Sequence, residues 1–423
     1  MPTNILSDKN EINKFLNHIS LPVNQIHFNH ILNFIIGFIN CKSEKNLSNI
    51  CKETNNYRHQ SSLSRFLNNA PLLDELVNDT RIKNAIDFTL SKASENETGF
   101  LIIDDTLSKK DSSSEVEGLG FNFSHSEGKS VNSHCLTSSH FHMGKVSMPI
   151  NFSLYLKEDY CQENDNEFKT KIEIGQELIE GFSENYKGQQ SIYVLGDSWY
   201  TCKDTVEKSL AVGHDYIGRL AINRTINLNG VSSKISEHKE IKNIKEDELE
   251  FIQIDGHDYY TYRYEGSVGK KDSKIESVVV ILCWEDEFSE DETPYCILCT
   301  DTDLDTESIL KYYKKRWKIE TSYYYIKNSL GLEDQQLHSL KAIIRFWRIL
   351  YLAYNFLEIE RVINLDNCTD DEQLRLSDII KKLQEEFFKF LIDFIYQAGK
   401  DNIPIEQIYN TLNLDVKILH SSA

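Results

Sequence analysis

Apolar residues recur at helical spacing through roughly the first 95 positions. The segments EINKFLNHI, NHILNFIIGFIN, NLSNICKET, SSLSRFLNNA and PLLDELVNDTRIKNAIDFTLSKA predict helices, with Leu47, Ile50, Leu63, Phe66 and Leu67 on their inner faces. The polar stretch Asn55–Gln60 predicts a turn, so the region reads either as a helix-turn-helix-like element with Ser61, Ser62, Ser64 and Arg65 outward, or as a plain bundle. From Thr98 the period changes. The runs FLIID, KVSMPINFSLYL and SIYVLGD predict strands and EFKTKIEIGQELIEGFSENY a helix, the alternation of a mixed α/β sheet. Between about Leu210 and Thr300 strands predominate: YIGRLA, TINLNG, FIQIDGHDYYTYRYEG, KIESVVVILCW and PYCILCT. Helix returns at Thr306, continues through the apolar SLKAIIRFWRILYLAYNFLEIERVI and closes with the amphipathic LSDIIKKLQEEFFKFLIDFIYQAG, which packs on the core or on another protomer.

Candidate chemistry sits where this pattern changes. Two apolar runs end in aspartate: Phe100–Ile103 leads into Asp104-Asp105-Thr106, and Ile192–Gly196 leads into Asp197. Tyr313, Arg316, Glu320 and Lys327 fall at offsets that one α-helix, at about 100° per residue, places on a single stripe. Three carboxylates from separate elements suit a hard divalent ion that shares its coordination with phosphate. Two such ions can activate an attacking oxygen and stabilise a leaving one. Arg316 suits bidentate contact with phosphate and Lys327 suits a point contact. Taken singly, each aspartate could be a turn or N-cap residue, and Arg316 with Glu320 an ordinary i, i+4 pair.

The Tyr-x2-Arg-x3-Glu-x6-Lys spacing, together with IDDT, GKVSMPINFSLYL and VLGDSWYTCKDTVEKSL in the same order, resembles bacterial insertion-sequence transposases with an Asp-Asp-Glu active site. The resemblance runs from about Asn46 to Glu358. It implies a ribonuclease-H-like mixed-sheet core interrupted by a β-rich insertion, which accounts for the 123 positions between Asp197 and Glu320. The implied organisation is a helical DNA-binding region over 1–97, catalytic core over 98–210 and 306–362, insertion over 211–305 and helical tail over 363–423. Asp105, Asp197 and Glu320 become the metal-binding catalytic triad, Asp105 being preferred to Asp104 because it directly precedes Thr106. Tyr313, Arg316 and Lys327 become phosphate contacts, and Trp284 a ring that stacks on a flipped base. The implied activity is cut-and-paste transposition with two Mg²⁺ ions, Mn²⁺ being an acceptable substitute. The implied partners are the double-stranded terminal inverted repeats and target DNA, bound by a homodimer. A domesticated DNA-binding regulator and a metal-dependent nuclease without strand transfer are the alternatives.

Composition restricts this reading in one respect. The 423 residues carry a net charge of −20, so cations for DNA must be gathered locally. Lys311, Lys314, Lys315, Arg316 and Lys318 do gather beside Glu320, whereas EDEFSEDE and DNCTDDEQ read as solvated acidic faces. Nine cysteines without a framework, no signal peptide and no spanning stretch indicate a reducing cytoplasm and no membrane, and the resemblance implies a bacterial, nucleoid-associated protein. Cys296-x2-Cys299 reads as buried strand rather than zinc site. The histidines at 125, 134, 140 and 142 read as a hairpin facing DNA or solvent in preference to a metal site.

Overall fold

The computed structural model describes residues 11–53, 60–72, 74–111, 115–270, 273–289, 291–367 and 373–412. In chain order it runs α1 (Glu11–Ile19), α2 (Gln25–Asn40), α3 (Leu47–Glu53), α4 (Gln60–Asn69), α5 (Asp74–Lys92), β1 (Gly99–Lys109), β2 (Gly120–Ser124), β3 (Lys129–Met143) and β4 (Val146–Tyr155). Next come α6 (Glu158–Glu163), α7 (Lys171–Asn185), β5 (Ile192–Gly196), α8 (Lys203–Ala211), β6 (Asp215–Leu220), β7 (Thr225–Leu228), β8 (Val231–Lys234), α9 (Lys239–Lys242), β9 (Glu250–Ile254), β10 (His257–Val268), β11 (Ile275–Glu285) and β12 (Tyr295–Cys299). The chain closes with α10 (Thr306–Lys314), α11 (Trp317–Tyr324), α12 (Leu340–Asp366), α13 (Leu376–Lys400) and α14 (Ile405–Thr411). Two compact units result. One comprises Met1–Phe88, Ser108–Ser133 and Ser322–Ala423, the other Thr89–Leu107 and His134–Thr321.

The first unit is helical because its apolar positions are. Asn24 caps α2 by accepting the His27 N–H, and the helix then buries Ile31, Leu32, Phe34, Ile35, Ile36, Phe38 and Ile39. Phe34 and Phe38 meet the edge of Phe346 on α12 with ring centroids 6.0 and 5.0 Å apart. Gly37 lets α3 approach, since a Cβ there would stand 2.6 Å from the Ile50 side chain. Arg345 of α12, 3% exposed, donates to both carboxylate oxygens of Asp74 at 2.6 Å and to the carbonyls of Phe66, Leu67 and Ala70. It therefore adds a donor to the carbonyls at the end of α4, two of which also accept backbone N–H groups. Within the same unit, β2 and the first residues of β3 form a hairpin. The expected turn of a helix-turn-helix element, at 55–59, lies outside the described residues, as does most of the acidic run DNCTDDEQ.

The second unit is a mixed sheet with helices. Its strands run β4, β3, β1, β5, β6, β12, β11, β10, with β7 and β9 each pairing with β10 and β8 with β7. β1 pairs parallel with β5 and β5 parallel with β6; the pairs β6–β12, β12–β11 and β11–β10 are antiparallel. Phe100–Ile103 and Ile192–Leu195 are buried, as expected of parallel strands covered on both faces. Helix α7 opens with a capping box between Thr170 and Glu173 and buries Ile174, Leu178, Ile179 and Phe182. Cys296 and Cys299 are free, buried thiols within β12. Three of the four clustered histidines differ from expectation. His134, His140 and His142 are buried in β3, where His140 Nε2 lies 2.8 Å from Ser147 Oγ and His142 Nδ1 3.0 Å from the Val146 carbonyl. Only His125 is exposed, so the alternation expected of a solvated hairpin stops once β3 becomes an interior strand.

Candidate active site

Strand register creates the site. Gly99 to Ile103 on β1 pair one for one with Ile192 to Gly196 on β5, so the next residues, Asp104 midway along β1 and Asp197 just beyond β5, follow where this parallel pairing ends. Two small residues make room there. A Cβ on Gly196 would lie 2.2 Å from the Tyr216 hydroxyl, and one on its neighbour Gly218 would lie 2.3 Å from Thr201 Oγ1. That space lets Thr201 donate to the Asp197 carbonyl at 2.7 Å and meet the Tyr216 hydroxyl at 3.1 Å. The Asp197 side chain accepts the Trp199 and Tyr200 N–H groups at 2.9 and 3.2 Å, a local turn that fixes the carboxylate.

Asp104 faces the same space. Its carboxylate, 17% exposed, lies 3.3 Å from Arg316 Nη1, and Arg316 Nη2 donates to Glu320 Oε1 at 2.6 Å. Burial, and next the negative charge of Asp197, push the Asp104 carboxyl up to about 7. Asp104, Asp197, Arg316 and Glu320 are therefore one constellation within a single unit. Its Arg316–Glu320 pair belongs to this half-buried site, where a bidentate-capable guanidinium bridges two acids, rather than to a solvated helix face.

Asp105 departs from the expected placement. Alternation along β1 sends it to the opposite face, where its carboxylate accepts from Lys171 Nζ at 2.8 Å and Tyr200 Oη at 3.3 Å, with Cys135 Sγ at 3.5 Å. Burial and then the Asp105 charge raise the Cys135 thiol to about 12. The preference for the residue before Thr106 rested on a dipeptide; the structure places Asp104, not Asp105, beside Arg316. Lys171 escaped notice because nothing in its local sequence sets it apart from the other lysines.

The single stripe is also broken. Helix α10 stops at Lys314, and i→i+3 bonds from Lys315 and Arg316, and from Lys318 in the first turn of α11, tighten the chain where α11 begins at Trp317. Residues Tyr325–Ser329 then form a π-helical turn. These segments advance by other angles than 100° per residue, so the offsets 0, 3, 7 and 14 do not stay in line. Tyr313 remains beside Arg316, whose guanidinium carbon is 6.0 Å from the Tyr313 ring centre. Lys327 lies in the π turn of the other unit, with its ammonium 3.4 Å from Glu333. Trp284 is 4% exposed, packs edge-on against Phe288 and donates Nε1–H to the Glu292 carbonyl at 3.1 Å, so its faces are not open to a base. An open indole stands elsewhere: Trp317, 64% exposed, lines a cavity of about 380 Å³ with Arg219, Tyr259, Tyr295, Tyr313 and Lys314. Part of the basic cluster is paired already, Lys314 with Asp255 and Lys311 with Glu307.

Carboxylates are hard oxygen donors of the kind divalent ions take. Burial chiefly raises Asp104, and the added repulsion from Asp197 is what a bound cation would relieve. Among the described residues no three His, Cys, Asp or Glu side chains already stand together as a ligand set, and the Arg316 guanidinium holds the oxygens of Asp104 and Glu320. Two aspartates placed where the parallel pairing of β1 and β5 ends, with a helical glutamate joined to one of them through Arg316, are the arrangement expected of an Asp-Asp-Glu nuclease. Comparison with protein families agrees: a model described as DDE superfamily endonuclease matches residues 18–239, and one described as archaeal putative transposase ISC1217 matches residues 154–365. Each spans just over half of the chain, which belongs to the insertion-sequence DDE transposases. No curated protein matches. No helix among the described residues is long and apolar enough to cross a membrane.

Proposed function

We propose that this protein is a cut-and-paste DNA transposase, with a ribonuclease-H-like core whose metal-binding carboxylates are Asp104, Asp197 and Glu320. The observation that carries the assignment is the Arg316 guanidinium bridging Asp104 and Glu320 beside Asp197, while Asp105 is engaged with Lys171. Divalent ions, Mg²⁺ or Mn²⁺, supply activation of the attacking oxygen and stabilisation of the leaving one when bound. The remaining roles fall to the chain. Asp104, Asp197 and Glu320 hold the cations, and Asp197 is kept in place by the turn at Trp199 and Tyr200. Arg316 neutralises the carboxylates at rest and is in reach of a phosphate once its partners are engaged. Tyr313 orients the guanidinium, and Lys327 is a phosphate contact. The reactions are hydrolysis of the phosphodiester at each element end and attack of the freed 3′-hydroxyl on target DNA, in a homodimer that pairs the two ends. A base unstacked at the end fits the cavity walled by Trp317 better than the buried ring of Trp284. The segments 1–97, 211–305 and 363–423 remain the proposed DNA-binding region, insertion and tail.

The test uses duplexes carrying the inverted repeats that flank the gene, with Mg²⁺ and a supercoiled target. Asn at 104 or 197, or Gln at 320, is expected to abolish nicking and joining, whereas Asp105→Asn retains both. Nicking without joining by the wild-type protein would favour the plain nuclease.

A further inference from the structure

A second feature, on the Asp105 side of β1, has no part in holding ions. Trp199, two residues beyond Asp197, is 63% exposed, although its backbone N–H is fixed by the Asp197 carboxylate. Tyr155 ends β4, opposite Cys135 in register, and Cys135 in turn touches Asp105. Between the two rings sits the Lys171 ammonium, 5.9 Å from the Trp199 ring centre and 5.8 Å from that of Tyr155. Lys157 covers Tyr155 from 5.2 Å, and Phe168 packs against it with centroids 6.3 Å apart. A large exposed indole is normally a liability, and here it is joined to a second ring and two cations at the edge of a site for phosphodiesters.

We propose that Trp199, Tyr155 and Lys157 form a platform for an unpaired nucleotide of the DNA strand that passes the carboxylate site, with a base on the indole face and its phosphate at the Lys157 ammonium. The inference rests on the transposase reading. Three observations favour this occupant. An indole face stacks on any base, but only an unpaired base offers its own face. The ammonium groups complement phosphate in a chain that is otherwise acidic. The platform adjoins the site through Trp199, whose backbone N–H is held by the Asp197 carboxylate.

Fluorescence anisotropy in EDTA, where no strand is cut, compares the full-length protein on a blunt duplex and on the same duplex with a run of unpaired thymidines at one 3′ end. Trp199→Ala is expected to weaken binding of the tailed duplex by about five- to 150-fold, the loss of one base–aromatic stack. It should leave the blunt duplex unaffected, while Trp199→Phe keeps most of the tail-dependent affinity. Lys157→Gln should reduce the salt dependence of tailed binding alone. Equal affinities of wild type and Trp199→Ala for the tailed duplex, or an equal loss on both duplexes, would overturn the platform while leaving DNA binding intact. No binding of either duplex by the wild-type protein would instead remove the reading on which the platform rests.

Discussion

Asp104 and Asp105 are neighbours in sequence with opposite contributions, and replacing each by asparagine should separate them. In the metal-free protein, raising the Asp104 carboxyl from 3.8 to about 7 corresponds to ~4 kcal/mol of penalty on its charged form at neutral pH, at ~1.4 kcal/mol per tenfold change in proton affinity. The sign follows from linkage: the folded protein keeps a proton that the unfolded chain has released, so stability falls as pH rises from about 4 to about 7. Asparagine removes the charge but loses the contact to Arg316, so a net gain of ~1–3 kcal/mol is expected above pH 7. The fall in stability between pH 4 and 7 should shrink with it. Asp105→Asn does the reverse. It leaves the half-buried Lys171 ammonium, 22% exposed, without its charge partner, and costs ~1–3 kcal/mol. Urea unfolding of both variants in EDTA at several pH values, beside cleavage assays with Mg²⁺, measures both axes. Asp104→Asn should be more stable and inactive, Asp105→Asn less stable and active. An active Asp104→Asn protein, or an inactive but fully stable Asp105→Asn protein, would refute the assignment.

Arg345→Ala should cost ~1–3 kcal/mol, because it removes the buried guanidinium that pairs with the partly exposed Asp74 carboxylate and donates to the Phe66, Leu67 and Ala70 carbonyls; thermal unfolding measures it, and a loss under ~0.5 kcal/mol would mean water replaces the guanidinium. Gly196→Ala should destabilise by ~1–3 kcal/mol through overpacking against Tyr216 and lower cleavage by displacing Asp197; unchanged activity in a stable variant would show that the close approach is relaxed. Deleting residues before Thr98 should cause loss of structure in α12, whose Phe346 packs on α2, and not only loss of end recognition; an unchanged helical circular dichroism signal per residue would contradict this.

Strands and helices were legible where burial dictates period. The runs FLIID and SIYVLGD announced β1 and β5, and the capped, apolar SLKAIIRFWRIL announced α12. What remained hidden depends on geometry between segments. Asp104 and Asp105 differ only in which face the register with β5 assigns them, a property of the pair of strands rather than of either one. The spacing of Tyr313, Arg316, Glu320 and Lys327 identified the family, yet the tight turns at Lys315 and the π segment at Tyr325 cannot be read from a count that assumes one helical step. Trp284 looked available because an indole in a strand can face either way; the carbonyl of Glu292 decides it.

Arg345 also sets a timetable. The carbonyl of Ala70 to which it donates lies 275 residues earlier in the chain. At ~5–20 residues per second of synthesis, the N-terminal helices wait roughly 14–55 s for the side chain that completes them. During that interval Phe34 and Phe38 have no Phe346 to cover them. The unit holding Asp104, Asp197, Arg316 and Glu320 ends at Thr321 and is fully translated before Arg345 appears. A nascent chain can thus possess its carboxylate site while its first hundred residues still expose apolar surface to the ribosome's surroundings.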